Sequence, residues 1–196
     1  LILLSLASVV NAQEDITAQY IKNPSFEQDD ISKLPADDTR GAYTAKTVEG
    51  WTLEGSYGVS DIMTAAATAT DNNFGAPGHP SDGKQMYYIR NAWNASTATL
   101  LQAITLPKGL YKLVLDNKCV TQSSHTASLI AGKESLSLTF QGSLPATWTK
   151  SELMFETAQE EQVSIGLRVH FGSGSGGSVL IDNFRLYKMP DDYTEA

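Results

Sequence analysis

Apolar and polar residues alternate along several short stretches of this chain. Between positions 111 and 116, the apolar side chains of Tyr111, Leu113 and Leu115 are separated by polar ones such as Lys112. The stretch 163–170 repeats the pattern, with an apolar residue at every odd position and a polar residue or glycine between them. A period of two is typical of a β-strand with one buried face. The pattern therefore predicts a sandwich in which one face of each sheet meets the core.

Similar runs lie between turn residues along the rest of the chain, whereas no stretch of a dozen residues has helical periodicity. The best helix candidate, the stretch 61–69, is rich in Ala but also in Thr, and it is short. The segment 29–80 is irregular, as functional loops often are. The fold class is all-β, a two-sheet antiparallel β-sandwich. Strands are predicted over 85–91, 98–106, 109–119, 126–131, 134–140, 149–156, 162–169 and 178–187.

The two ends of the chain differ from its middle. Residues 1–12 are apolar and end with Val10 and Ala12 at the −3 and −1 positions of a cleavage site, as in part of a secretory signal peptide. The alternative is a truncated first strand. We expect residues 13–189 to form the β-sandwich domain and the acidic residues 190–196 to be a disordered tail or the start of a linker.

Charge and cysteine content indicate which partners and which compartment suit the protein. The net charge is −8 and the pI about 4.8, which argues against nucleic acid and anionic membrane surfaces as partners. The apolar run at the start is too short for membrane insertion. Cys119 is the single cysteine, so no intrachain disulfide forms, and we expect it to be a buried thiol. Export without disulfides suits a bacterial protein that is secreted, periplasmic or on the cell surface.

Short motifs along the chain occur in the order of a known family. Asn23-Pro24-Ser25-Phe26-Glu27 opens the domain, the stretch 101–113 reads LQAITLPKGLYKL, and Ile181-Asp182-Asn183-Phe184-Arg185-Leu186 closes it. On these motifs, together with Gly50-Trp51 and the turn 82–85, the chain resembles the galactose-binding-like jelly-roll carbohydrate-binding modules, of the kind attached to bacterial glycoside hydrolases. The resemblance implies a jelly roll and a non-catalytic role in binding carbohydrate.

The resemblance also implies a structural Ca²⁺ between the opening motif and the last strand. Its ligands would come from the Ser25 carbonyl, Glu27, the Asp82 and Lys84 region, and Asp182. Calcium binds six to eight oxygen ligands, so one ion can join distant segments. The chain departs from the family at one position, where Ser81 replaces a Glu. The alternative is that Glu27 and Asp182 accept hydrogen bonds from backbone N–H groups.

Sugar binding requires a flat aromatic surface and planar polar side chains. Strand alternation places Tyr88 and Arg90 on one face of strand 85–91, which we expect to be exposed, and Trp93 follows near a loop. Arg168 and His170 point away from the apolar face of their own strand. If these strands share a sheet, one groove is predicted, lined by Tyr88, Arg90, Asn117, Arg168 and His170, and Trp93 is a further predicted ligand-binding residue, as a stacking platform.

The sequence therefore favours a non-catalytic carbohydrate-binding domain whose partners are a polysaccharide or oligosaccharide and an attached or associated glycoside hydrolase. The alternative is a structural or protein-interaction spacer from a larger surface protein. An enzyme is not expected, because the chain lacks a G-x-S-x-G elbow, an H-E-x-x-H motif and a Cys/His cluster at metal spacing.

Overall fold

Strands make up nearly all of the regular structure in the computed structural model. It describes residues 12–30, 42–44, 48–55, 62–66, 80–91, 94–121, 125–142, 146–174 and 177–194, with backbone only at 42–44, 62–66, 90–91 and 121. The predicted signal segment lies outside these residues apart from Ala12. Within the described ranges, no helix is long and apolar enough to cross a membrane.

The elements follow the alternation in the sequence closely from residue 85 onward. They are β1 (Glu14–Asp15), α1 (Thr17–Tyr20), β2 (Ala42–Thr44), β3 (Thr52–Glu54), β4 (Ile62–Ala66), β5 (Gln85–Asn91), β6 (Ser96–Leu106), β7 (Gly109–Thr121), β8 (Thr126–Ala131), β9 (Glu134–Ser137), β10 (Phe140–Gln141), β11 (Thr149–Thr157), β12 (Glu161–Phe171) and β13 (Gly177–Lys188).

Two sheets form among the described strands, as predicted. The eight-stranded sheet has the order β10-β7-β13-β5-β4-β2, with β1 added to β13 and β11 to β7. The five-stranded sheet has the order β3-β6-β12-β8-β9. The described pairs are antiparallel except for the two-residue pairing of β10 with β7. Residues from the inner faces of both sheets form one hydrophobic core, as expected for a sandwich.

One predicted strand is divided between the two sheets. The sequence predicts a single strand over 134–140, but β9 pairs with β8 in the smaller sheet and β10 pairs with β7 in the larger. Leu138, between them, is buried in the core. The prediction of one strand is wrong here because both halves are apolar enough to look continuous. The short strands β1 to β4 were not predicted either, since strands this short carry little periodicity.

The motif that opens the domain has a structural role in the corner that it forms. Asn23 is buried and in the left-handed region at φ 50°, with its Nδ2 donating to the Glu49 carbonyl oxygen at 3.1 Å. The Trp51 indole N–H donates to the Asn23 carbonyl oxygen at 3.1 Å. The Phe26 ring stacks on Tyr87 at a centroid distance of 5.3 Å. The motif therefore anchors the start of the domain to both sheets.

A substitution at Gly166, in the middle of β12, tests how closely β12 approaches β6. A Cβ atom at this position would overlap the carbonyl oxygen of Leu100. We expect Gly166→Ala to lower the free energy of unfolding by about 2–3 kcal/mol, because the backbone of β6 would have to move. Gly142→Ala is the matched control, since nothing lies within 4 Å of its added Cβ. Urea denaturation of both variants measures the difference, and equal stabilities would contradict this packing.

Cys119, in β7, tests the burial of the core. Its side chain is buried, and burial raises the pKa of the thiol to about 12. Because only the thiolate is nucleophilic, we expect a disulfide reagent near neutral pH to leave the native protein unmodified and to modify one thiol per chain in urea. Colorimetric titration of the released thiol measures both. Modification of the native protein at the rate of a free thiol would show that the core opens there.

Candidate functional site

Both faces of β5 are buried, which corrects the prediction that the face bearing Tyr88 is exposed. Tyr87 and Ile89 lie in the main core, and Met86 and Tyr88 on the opposite face have 0% exposure as well. β5 lies between β13 and β4 in the larger sheet, and Tyr88 packs with Leu180 and Trp148 on the outer face. Tyr88 is therefore not an exposed platform in the way the sequence predicted.

Two other predicted ligand-binding residues are only partly described or not described. The backbone of Arg90 pairs with Ser178 in β13, but the position of its side chain lies outside the described part. Trp93 lies outside the described residues entirely. Both remain predicted ligand-binding residues.

Trp148 and Lys118 extend the covered row beside Tyr88. Lys118 lies opposite Leu180 in the register of β7 and β13, and Leu180 lies opposite Tyr88 in β5. The Lys118 ammonium is 4.9 Å from the centroid of the half-buried Trp148 ring, a cation–π geometry. Burial lowers the pKa of Lys118. This lysine was missed in the sequence because it lies within an otherwise ordinary strand pattern.

Asn117 faces the core and cannot line an external groove. Its side chain has 0% exposure, and its Nδ2 donates to the Ser151 hydroxyl at 2.8 Å and to the Thr149 carbonyl oxygen at 3.2 Å. The predicted groove also required β5, β7 and β12 to share a sheet, but β12 belongs to the smaller one. The single groove from Tyr88 to His170 is therefore wrong, since its members lie in two sheets and on three different surfaces.

Arg168 and His170 project from the outer face of the five-stranded sheet, as the alternation in β12 predicted. Both are exposed, whereas Leu167 and Val169 beside them are buried. The His170 Nδ1 atom lies 3.2 Å from the Thr97 hydroxyl oxygen, so the ring is held against β6. We call this surface the hydroxyl face. Its members lie on the outward side of β3, β6, β12, β8 and β9, and include Glu54, Thr97, Thr99, Leu101, Thr126, Ser128, Ser137, Arg168 and His170.

One polar row crosses the whole hydroxyl face. Cross-strand register places Glu54 opposite Thr99, Thr99 opposite Arg168, Arg168 opposite Ser128, and Ser128 opposite Ser137. In the next row, Gly166 lies between Leu101 and Ile130. Of these three, only Leu101 is partly exposed. Hydroxyl groups and planar polar side chains can hydrogen-bond sugar hydroxyls, and an apolar side chain beside them can contact an apolar sugar face. Strand alternation predicts that these Thr and Ser residues point outward. Their alignment in one row could not be predicted, because it depends on the register between strands.

The residues predicted to bind calcium do approach one another at the start of β5. Glu27 reaches the turn before β5, where its Oε1 accepts the backbone N–H groups of Lys84 and Gln85, each at 2.6 Å. A Cβ atom on Gly83 would overlap the Glu27 carboxylate, so glycine makes room for this contact. The Ser25 hydroxyl donates to the Asp82 carboxylate at 2.9 Å. The opening motif is thereby attached to this turn.

Asp182 holds the same turn from the other side. It has 0% exposure, and its Oδ2 accepts the backbone N–H groups of Ser81 and Asp82, each at 2.9 Å. Its Oδ1 accepts the N–H of Asn183 at 2.8 Å. Burial raises the pKa of Asp182 to about 7, although the hydrogen bonds from these N–H groups oppose the shift.

The carboxylates of the predicted calcium site are engaged by N–H donors. Glu27 Oε1 and Asp182 Oδ2 each accept two backbone N–H groups, whereas calcium is coordinated by free oxygen lone pairs. Within the described residues, no group of three or more His, Cys, Asp or Glu side chains is arranged to hold a metal. The alternative in the sequence analysis, carboxylates that accept backbone N–H groups, describes the observed contacts.

Comparisons with known proteins concern the fold. No protein-family model and no curated protein matches the chain. Among solved structures, the carbohydrate-binding module TmCBM61 in complex with β-1,4-galactotriose has a TM-score of 0.54 and 18% identity, covering 87% of this chain and 98% of that one.

Cyclases with the same architecture also match. The Stig cyclase Fisc from Fischerella sp. TAU, in complex with (3Z)-3-(1-methyl-2-pyrrolidinylidene)-3H-indole, has a TM-score of 0.60 and 17% identity, covering 91% of this chain and 99% of that one. An apo form cyclase from Fischerella sp. has a TM-score of 0.58 and 16% identity, covering 88% and 96%. The chain therefore has the β-sandwich fold of carbohydrate-binding modules, as its motifs predicted, and cyclases share that fold.

Replacing Glu27 separates its two possible roles. If it accepts two backbone N–H groups, Glu27→Ala leaves both unpaired and should lower the free energy of unfolding by about 1–3 kcal/mol, whereas Glu27→Gln keeps an acceptor oxygen and should cost less. EDTA should not change the melting temperature of the unaltered chain. Glu160→Ala, at an exposed bend, is the control. Calorimetry with and without EDTA measures this, and a melting temperature that EDTA lowers and calcium restores would establish an ion.

Proposed function

We propose that this protein is a carbohydrate-binding domain that holds glycan chains reversibly on its hydroxyl face, without catalysing a reaction. The observation that carries the proposal is the pair of exposed side chains, Arg168 and His170, on a sheet face otherwise rich in hydroxyl groups. Guanidinium, imidazole and carboxylate groups are planar and polar, which suits them to recognise sugar hydroxyls by directed hydrogen bonds.

The shape of the hydroxyl face suits an extended ligand. The polar row from Glu54 to Ser137 crosses five strands, a span of about 19 Å at the usual strand spacing. A chain of several sugar residues can lie along such a row, with its apolar side on the half-buried Leu101 of the neighbouring row. The likeness of the fold to TmCBM61, which was solved with a galactotriose, supports a glycan as the ligand.

The same proposal includes the setting of the domain. A shallow, open surface gives modest affinity, so the domain would gain effective affinity when linked to, or associated with, a glycoside hydrolase acting on the same polysaccharide. We propose export by a bacterium to the periplasm, the cell surface or the medium, which agrees with the signal-like residues 1–12.

A second candidate function is the binding of a small aromatic molecule. It is favoured by the likeness to Fisc, which was solved with an indole compound, and by the half-buried aromatic ring of Trp148 on the outer face of the larger sheet. The two candidates use opposite surfaces of the sandwich. Substitutions on the hydroxyl face therefore distinguish them.

A glycan-array screen of the full chain tests the proposal. We expect selective binding to one class of glycan, and about a 10-fold or greater loss of affinity in Arg168→Ala with His170→Ala, because charge-assisted hydrogen bonds are removed. Lys150→Ala is the matched control, since it removes an exposed positive charge from the other sheet. Calorimetry on the best glycan gives the affinities.

The remaining outcomes assign the site or reject the proposal. If Trp93→Ala and Arg90→Ala abolish binding while the Arg168 and His170 variant binds normally, the ligand lies on the larger sheet. A folded chain that binds no glycan but is stabilised thermally by an indole would support the second candidate. A folded chain that binds neither would leave the structural spacer.

A further inference from the structure

Arg168 has no charged partner among the described residues, although the chain has many acidic groups. The chain has 22 Asp and Glu residues against 14 Lys and Arg. Within the part of the chain that the structure describes, the Arg168 guanidinium makes no hydrogen bond or ion pair. By contrast, Arg185 forms an ion pair with Asp116 on the other sheet. Among the described residues, the exposed Arg168 guanidinium is therefore a positive charge without a carboxylate beside it.

The register explains why no side chain of the hydroxyl face neutralises Arg168. The residues directly opposite it are Thr99 and Ser128, whose hydroxyls are short and neutral. The carboxylate of Glu54 belongs to the same row, but it lies two strands away, about 10 Å at the usual strand spacing. The positive charge of Arg168 therefore has polar but uncharged residues directly opposite it on both neighbouring strands.

His170 adds a second donor on the same side of β12. Two positions along a strand separate it from Arg168, which places the two side chains about 7 Å apart at their origins. Its Nδ1 atom is occupied near the Thr97 hydroxyl, so the Nε2 atom is the one that can meet a ligand.

We propose that the hydroxyl face recognises an acidic polysaccharide, by placing a uronic acid carboxylate on the guanidinium of Arg168. The inference rests on the proposed function and names the class of its ligand. Arginine presents parallel N–H groups that match the two oxygens of a carboxylate, and this bidentate geometry is stronger and more directional than a bond to a neutral hydroxyl. The hydroxyls of Thr99 and Ser128 on either side would bind the neighbouring sugar oxygens.

The negative net charge of the protein limits where an acidic polysaccharide can bind. A polyanion is repelled by the surface as a whole, but repulsion between exposed charges is screened beyond about 8 Å at physiological ionic strength. An acidic chain would therefore bind only where an unpaired cation meets it. Binding should weaken as salt rises, because the charge of Arg168 is exposed.

Three galacturonic and galactose polymers test the inference on the full chain. The probes are polygalacturonate, the same polymer with its carboxylates methyl-esterified, and neutral β-1,4-galactan. We expect polygalacturonate to bind about 10-fold or more tightly than the esterified polymer, as measured by calorimetry. Arg168→Ala should remove this difference, and Arg168→Lys should restore part of it, since lysine keeps the charge but loses the fork. Lys150→Ala should leave the difference unchanged, and circular dichroism confirms that each variant is folded.

The outcomes separate this inference from the proposed function. Equal binding of the acidic and esterified polymers, or binding of neutral galactan alone, would overturn the acidic class and leave carbohydrate binding intact. A preference for polygalacturonate that survives in Arg168→Ala would also overturn the assignment to this residue. If none of the polymers, and no glycan on the array, binds to folded protein, both proposals fail.

Discussion

The fully buried carboxylate of Asp182 constrains the region where the two ends of the domain meet. A buried anion is costly unless hydrogen bonds replace its lost water. Within the described residues no cation contacts Asp182, and the charge of Arg185 is directed to Asp116 instead. The N–H groups of Ser81 and Asp82 must therefore point at this carboxylate, which fixes the loop before β5 against β13.

The consequences of that contact spread from β13 to the first residues of the domain. The register of β13 shifts between Asp182 and Arg185, where Asn183 takes a left-handed conformation at φ 54°. The irregularity turns the Phe184 N–H toward the Pro24 carbonyl oxygen at 2.9 Å and the Phe184 ring toward Trp51. Glu27 then secures the turn before β5 from the opposite side. The opening and closing motifs of the sequence are thus two parts of one corner.

The sequence was sufficient to identify the core side of a strand where apolar and polar residues alternate. In β7 and β12 the alternation identified the core side correctly, and it placed Arg168 and His170 outward. It failed for β5, where Met86 to Ile89 form a continuous run of large side chains and both faces are buried. A continuous run of this kind is typical of a strand that is buried on both faces. The composition of β5 therefore indicated its burial, although its alternation did not. The calcium residues were correctly placed near one another, but whether a carboxylate meets a metal or an N–H group depends on loop geometry that the motif does not encode.

The two sheets differ in how much of their outer faces is exposed. Strand β13 is buried on both faces over Val179 to Asp182, and Tyr88 and Met86 beside it are buried too, so the described part of the larger sheet offers little open surface there. The smaller sheet packs one face on the core, and on its other face the register brings Thr99, Arg168 and Ser128, which are far apart in sequence, into one row. Solved proteins with this fold hold a galactotriose in one case and an indole compound in another, so the fold by itself does not determine the ligand, and side chains that the register brings together have to be considered residue by residue.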